Sequence, residues 1–277
     1  GTIEVQLFEG KNEGNIYDCD SKISIRPTAS DGHIFHKWII NGDDNYSNPL
    51  SKFNINEDVE IKAVFKELFN LSIKVVEGTG TYEVSEPDLD GKYMDGRQVR
   101  VVAKAEEGNA FYSWEGDVES NEHPLLFNID SDTSIELRFK NPIYLDSNGK
   151  TIKAYDWARI DDTGTYGGEI YLIADREDIL ETRDDGDLSK LCTSKVEDMS
   201  LLFVARDVNS DITNWDTSNV RTMEKMFYHS ETFNQDISYW DVSMVTEMDY
   251  MVAETKVFNQ DIGDWNVGKV RDMGAMF

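Results

Sequence analysis

The sequence predicts a multi-domain chain in which two small β-rich modules precede an α/β solenoid of stacked 25-residue repeats. Three observations predict it. Tryptophans recur at a fixed spacing of 25 residues near the C-terminus, a weaker duplication at offsets of 74–76 residues fills the first half, and apolar and polar residues alternate through that first half.

Internal repeats decide a fold before local propensity does. The segments 211–220, 236–245 and 261–270 superimpose, placing Trp215, Trp240 and Trp265, and likewise Val220, Val245 and Val270, 25 residues apart. Each valine is followed by a Met-x-x-Met unit that begins at Met223, Met248 or Met273, and an earlier copy runs from Val196 through Met199. Val220, Met223, Met226 and Phe227 fall at i, i+3, i+6 and i+7, which predicts a short helix, with Ser218 and Ser243 placed to cap it. The Asp-Ile-x-x-Trp-Asp stretch predicts a brief strand and a turn. One strand and one short helix cannot bury both apolar faces alone, so the units must stack. The Trp, Val and Met positions therefore read as core, at roughly 1.5–3 kcal/mol per fully buried large side chain. The recurring Asn209, Asn234 and Asn259, with Asp211, Asp236 and Asp261, predict side chains bonded to backbone at tight turns. A ligand or calcium ladder is the alternative reading of the same residues.

In the first half, Gly32-His-Ile-Phe35-His-Lys-Trp38 matches Gly108-Asn-Ala-Phe111-Tyr-Ser-Trp114, Asn48-Pro matches His123-Pro, and Phe53 through Phe65 matches Phe127 through Phe139. Period-two patterns such as Ile23-Ser-Ile25 and Val99-Arg-Val101 predict strands with one buried face, and Trp38 and Trp114 anchor the two cores. The modules span 1–66 and 67–141, a connector that caps the solenoid spans 142–186, and the repeats span 187–277. Gly80-Thr-Tyr-Glu aligns with Gly1-Thr-Ile-Glu, so the first module is expected to lack the strand that the second has at Leu71–Val76. The repeat register breaks off at Phe277, and the polypeptide is expected to continue in both directions.

Two resemblances follow from these residues. Phe233 through Met248 and Phe258 through Met273 are similar to the BspA-type repeat of bacterial surface proteins, also found in mycoplasma lipoproteins. That likeness implies a right-handed, leucine-rich-repeat-like solenoid, frequent in adhesins and without enzymatic activity. Gly-x-x-Phe-x-x-Trp, then Asn/His-Pro, then a strand closing on Phe, resembles the divergent InlB B-repeat. That likeness implies β-grasp-like spacer domains.

Composition limits the function. Fifty-four Asp and Glu against 27 Lys and Arg give a net charge of −27, which argues against nucleic acid or an anionic lipid surface as partner. The acidity reads as solubility on a crowded surface, with Ca²⁺ binding as the alternative; no other cofactor is expected. Asp88-Leu-Asp90-Gly and Asp184-Asp-Gly-Asp187 lack the spacing and terminal Glu of an EF-hand loop. Two cysteines, Cys19 and Cys192, make no disulfide framework, and no apolar run is long enough to cross a membrane. No nucleophile motif or isolated carboxylate pair appears, so no enzyme is expected. The expected role is adhesion by an extracellular, cell-surface protein, through a protein or glycan ligand or neighbouring copies of itself. A coat or filament subunit and an accessory carbohydrate-binding region are the alternatives. Tyr228, Tyr239 and Tyr250 occupy different repeat positions and predict no aromatic stripe.

Overall fold

The computed structural model describes residues 1–9, 12–13, 16–208 and 210–277, which leaves Asn209 outside the described residues. Strand makes up 40% and helix 4% of the chain. Two compact units form: Gly1–Lys74 with Tyr82–Val102 and Trp114–Glu136, and Val75–Thr81 with Ala103–Ser113 and Leu137–Phe277.

In the first unit, alternation puts Ser21, Ile23 and Ile25 on the buried face of strand Ser21–Thr28, which lies between antiparallel strands Thr2–Glu9 and Leu50–Ile55. A second sheet places His33–Ile40 between Asp43–Asn45 and Ile61–Phe69. Tyr93–Met94 pairs with the far end of the last strand, at Phe69 and Leu68. Trp38, fully buried, packs with Ile23, Ile25 and Leu50, and its indole N–H donates to the Ser47 carbonyl at 2.9 Å.

The same devices recur one module later. Arg97–Ala105 pairs with Leu125–Ile129, as Ser21–Thr28 pairs with Leu50–Ile55. Trp114 is buried and its indole N–H donates to the Glu122 carbonyl at 3.0 Å. Asn48–Pro49 and His123–Pro124 are both cis, and the leucines that follow, Leu50 and Leu125, are both buried. A Cβ at Gly1 would fall 2.6 Å from the Phe65 ring and the Thr28 carbonyl; at Gly80 it would fall 2.5 Å from the Phe139 ring and 2.6 Å from the Lys104 carbonyl. Close approach therefore requires glycine at both positions.

The C-terminal region corrects the expected fold class. No α/β leucine-rich-repeat-like solenoid forms. Among the described residues the one α-helix is Arg176–Thr182, in the connector, and residues 195–277 are turns joined by one-residue parallel bridges, Asp198 to Thr222 to Glu247 to Asp272. The reason lies in the backbone. Met199, Leu201, Phe203 and Ala205 donate their N–H groups to the carbonyls of Thr222, Glu224, Met226 and Tyr228. Met223, Lys225, Phe227 and His229 donate in turn to Glu247, Asp249, Met251 and Ala253. Alternate N–H groups are thus committed to the next unit, where a helix would send them four residues back. Leu201, Ala205, Lys225, His229, Tyr250 and Glu254 also hold φ between 52° and 60°, a left-handed conformation that ends a right-handed helix. Ser218 and Ser243 cap no helix: their N–H groups donate to Asp216 and Asp241 in Asx turns.

Stacking these units aligns like residues. Trp215 and Trp240 stack at 6.4 Å and 6°. Phe203 and Phe227 stack at 5.5 Å and 8°, and Phe233 and Phe258 at 5.8 Å and 6°. Ala174, Ile179, Leu188 and Leu191 of the preceding segment join the same apolar cluster, and Arg176 and Arg183 donate to the carbonyls of Ser200 and Leu202.

Candidate functional site

The repeat residues singled out by spacing lie mostly in the core. Trp215, Val220, Met223, Val245 and Met248 are fully buried, Trp240 is nearly so, Trp265 is 9% exposed and Val270 is partly buried, while Met273 is 40% exposed. The indoles of Trp215, Trp240 and Trp265 donate to the carbonyls of Leu188, Ile212 and Ile237 at 3.0, 3.4 and 3.2 Å. Each tryptophan thus ties its unit to the one before it.

The repeated acids are spent on turns. Asp211, Asp236 and Asp261 accept from the N–H groups of Thr213, Ser238 and Gly263, and Asn234 accepts from the N–H of Asn259. Asp88 accepts from Met94 N–H and Arg97, Asp184 holds Arg206 at 2.7 Å and Asp187 accepts from Ser189 N–H. Among the described residues no three His, Cys, Asp or Glu side chains gather to hold a metal ion.

A buried polar knot joins connector to repeats. Ser194 Oγ donates to Asp216 Oδ2 at 2.6 Å and accepts the Ala154 N–H at 2.9 Å. Lys153 lies 3.3 Å from Asp146 and 4.0 Å from Asp216. Burial alone would lower the Lys153 pKa, but the two carboxylates outweigh it and hold the ammonium above its ordinary range. Burial pushes the neighbouring Cys192 thiol up, which makes it an unreactive, structural cysteine.

The exposed chemistry lies beside that knot. The hairpin of Ile143–Leu145 and Ile152–Ala154 and the turn after it, closed by Ala158 N–H to Tyr155 O, carry three aromatic rings. Tyr144 and Tyr155 lie 4.7 Å apart, and Tyr155 runs nearly parallel to Trp157 at 6.0 Å and 11°. Tyr112 meets Trp157 edge-on at 5.1 Å, and Lys140 Nζ sits 3.6 Å over the Tyr112 ring. Tyr155 is 43% exposed, and Tyr112, Tyr144 and Trp157 are half-buried. Lys195 Nζ donates to the carbonyls of Tyr155 and Asp156, fixing the backbone under the rings. Flat rings held by a rigid backbone, with Lys140 and the exposed Asp156 at the rim, suit a ligand that has an apolar face and hydrogen-bonding edges. Residue spacing did not single out this cluster. Its signal was the density of aromatics, Tyr144, Tyr155, Trp157, Tyr166 and Tyr171, in a stretch outside both repeats.

Residues 71–142 match the family described as the divergent InlB B-repeat domain. Residues 177–277 match the family described as Mycoplasma protein of unknown function, DUF285; BspA-type repeats are not what this match reports. The chain has no match among curated proteins or solved structures. It is a modular chain with a segment similar to the divergent InlB B-repeat domain, a domain typical of surface proteins.

Proposed function

We propose that this chain is a non-catalytic, ligand-binding part of an extracellular, surface-associated protein, and that the connector's aromatic cluster takes a glycan. The observation that carries the reading is the run of Tyr144 on the hairpin with Tyr155 and Trp157 on the turn after it, Tyr155 being open to solvent. The C–H face of a pyranose lies flat on such rings, while its hydroxyls reach charged groups at the rim. A net charge of −27 turns polyanionic partners away and leaves neutral or cationic sugars as the favoured class. The repeats position this surface, and their own tryptophans, being buried, serve stability.

The test is a glycan array probed with the 277-residue protein and with its Trp157→Ala and Tyr155→Ala variants, all checked for cooperative unfolding. Binding of neutral oligosaccharides by the parent, reduced at least about tenfold in both variants, supports the proposal. No glycan binding by the parent, or binding indifferent to both substitutions, overturns it.

A further inference from the structure

The hairpin that carries Tyr144 lies along the repeats. Ala154 N–H donates to Ser194 Oγ and Ile152 N–H to the Asn214 carbonyl, each at 2.9 Å, and Lys150 Nζ reaches Asp236 Oδ2 at 3.6 Å. Ser194, Asn214 and Asp236 belong to successive units, so the second strand and the turn before it run along the stack. One face of the hairpin, with Ile143 and Ile152, is buried. Tyr144 and Lys153 stand opposite each other on the other face, and Lys153 lies 3.3 Å from Asp146.

Another ring stands at the tip of this hairpin. Tyr239 is 44% exposed, and Lys150 Nζ sits 4.3 Å over its ring. The equivalent residue one unit earlier, Asn214, is half-buried and bonds back to the Ser189 carbonyl at 2.9 Å. Tyrosine at this position is therefore not what the repeat needs for stacking. Tyr155 adjoins the other end of the hairpin, next to Ala154, and the five residues back to Lys150 span at most about 17 Å. Between the two ends lie the half-buried Lys153 and Asp146 and the exposed Ser147 and Asn148. Rings at both ends with hydrogen-bonding groups between them suit a chain of sugars, whose C–H faces stack and whose hydroxyls are held.

We propose that the glycan site continues along the hairpin to Tyr239, and that its ligand is an extended, neutral, β-1,4-linked oligosaccharide. This rests on the reading of Tyr144, Tyr155 and Trp157 as a glycan platform. Tyr155 and Trp157, inclined by only 11°, favour a chain whose successive rings lie flat, which a β-1,4 linkage provides and a coiling α-1,4 linkage does not. Lys153 with Asp146 and Lys150 with Asp236 are paired charges, which suit hydroxyls better than a charged sugar.

The test is calorimetric titration of the 277-residue protein with β-1,4-linked glucose oligomers, a disaccharide too short to reach both ends and a hexasaccharide long enough to do so. The hexasaccharide is expected to bind at least about tenfold more tightly than the disaccharide. Tyr239→Ala is expected to remove that gain while leaving the disaccharide's affinity unchanged, which a general loss of folding would not do. Trp157→Ala is expected to weaken both ligands. Equal affinity for the two lengths, or a gain that survives in Tyr239→Ala, overturns the extended site; loss of both ligands in Trp157→Ala would then leave the platform reading standing. No binding of either oligomer overturns the proposed ligand class, and the glycan array decides separately whether the platform binds another sugar.

Discussion

Replacing Phe227 with alanine strikes the stack where the most rings meet. Phe227 is fully buried and lies against Phe203 at 5.5 Å, Phe233 at 3.7 Å and Trp240 at 6.2 Å. Truncating a buried phenylalanine costs about 3–5 kcal/mol, because a cavity adds to the lost transfer free energy. Each aromatic pair is worth about 0.5–1.5 kcal/mol beyond the area it buries. Three such partners place Phe227→Ala in the upper part of the range, about 4–5 kcal/mol. For a unit of this size that is a fall of roughly 10–15 °C in the thermal midpoint. Met273→Ala is the comparison, since Met273 occupies a repeat position but is 40% exposed; its expected cost is below about 1 kcal/mol. Urea unfolding followed by tryptophan fluorescence reads both. Costs within about 1 kcal/mol of each other would refute the idea that ring packing around Phe227 holds the repeats together.

Three further outcomes follow from the same geometry. Trp215→Phe keeps most of the ring but leaves the Leu188 carbonyl without its 3.0 Å indole donor, a loss of about 1–2 kcal/mol; Trp240→Phe, whose bond is 3.4 Å, should lose less, as paired urea titrations would show. Ser194→Ala removes the partner of both the Ala154 N–H and the Asp216 carboxylate, and is expected to cost about 1–3 kcal/mol by calorimetry. Acid should weaken the connector and repeats. Side-chain and backbone bonds from Ser189 hold Asp187 below the usual carboxylate range, and those from Ser238 do the same for Asp236. A lowered folded pKa gives stability that is present above the unfolded value and lost as pH falls through the folded one. The thermal midpoint should therefore drop below about pH 4, and less steeply in an Asp187→Asn/Asp236→Asn variant.

The repeat register was legible because it is written in large side chains. Trp215, Trp240 and Trp265 each bond back to the unit before, at Leu188, Ile212 and Ile237, so their spacing survives every detail of backbone path. The backbone itself was not legible. Val220, Met223, Met226 and Phe227 all face the core, and successive tight turns bring residues three or four apart to one side as a helix would. What separates the two is the left-handed φ at Lys225 and His229 and the N–H groups sent to the next unit. Neither leaves a mark on periodicity, since neither position holds the glycine that usually advertises such a conformation. The duplicated modules were legible for the opposite reason. Their marks, Trp38 with Asn48-Pro and Trp114 with His123-Pro, are the residues whose indole bonds and cis bonds recur. The aromatic cluster escaped because Tyr112 is distant in sequence from Tyr144, Tyr155 and Trp157, and folding alone brings it to Trp157.

The most direct test of the functional account compares two exposed tyrosines for oligosaccharide binding by calorimetric titration. Tyr155, 43% exposed, belongs to the connector cluster; Tyr250, 41% exposed, lies on the repeats and meets Tyr228 edge-on. The account predicts that Tyr155→Ala abolishes or weakens binding at least about tenfold, while Tyr250→Ala leaves it unchanged. Loss of binding in Tyr250→Ala with Tyr155→Ala intact would contradict it and move the site onto the repeats.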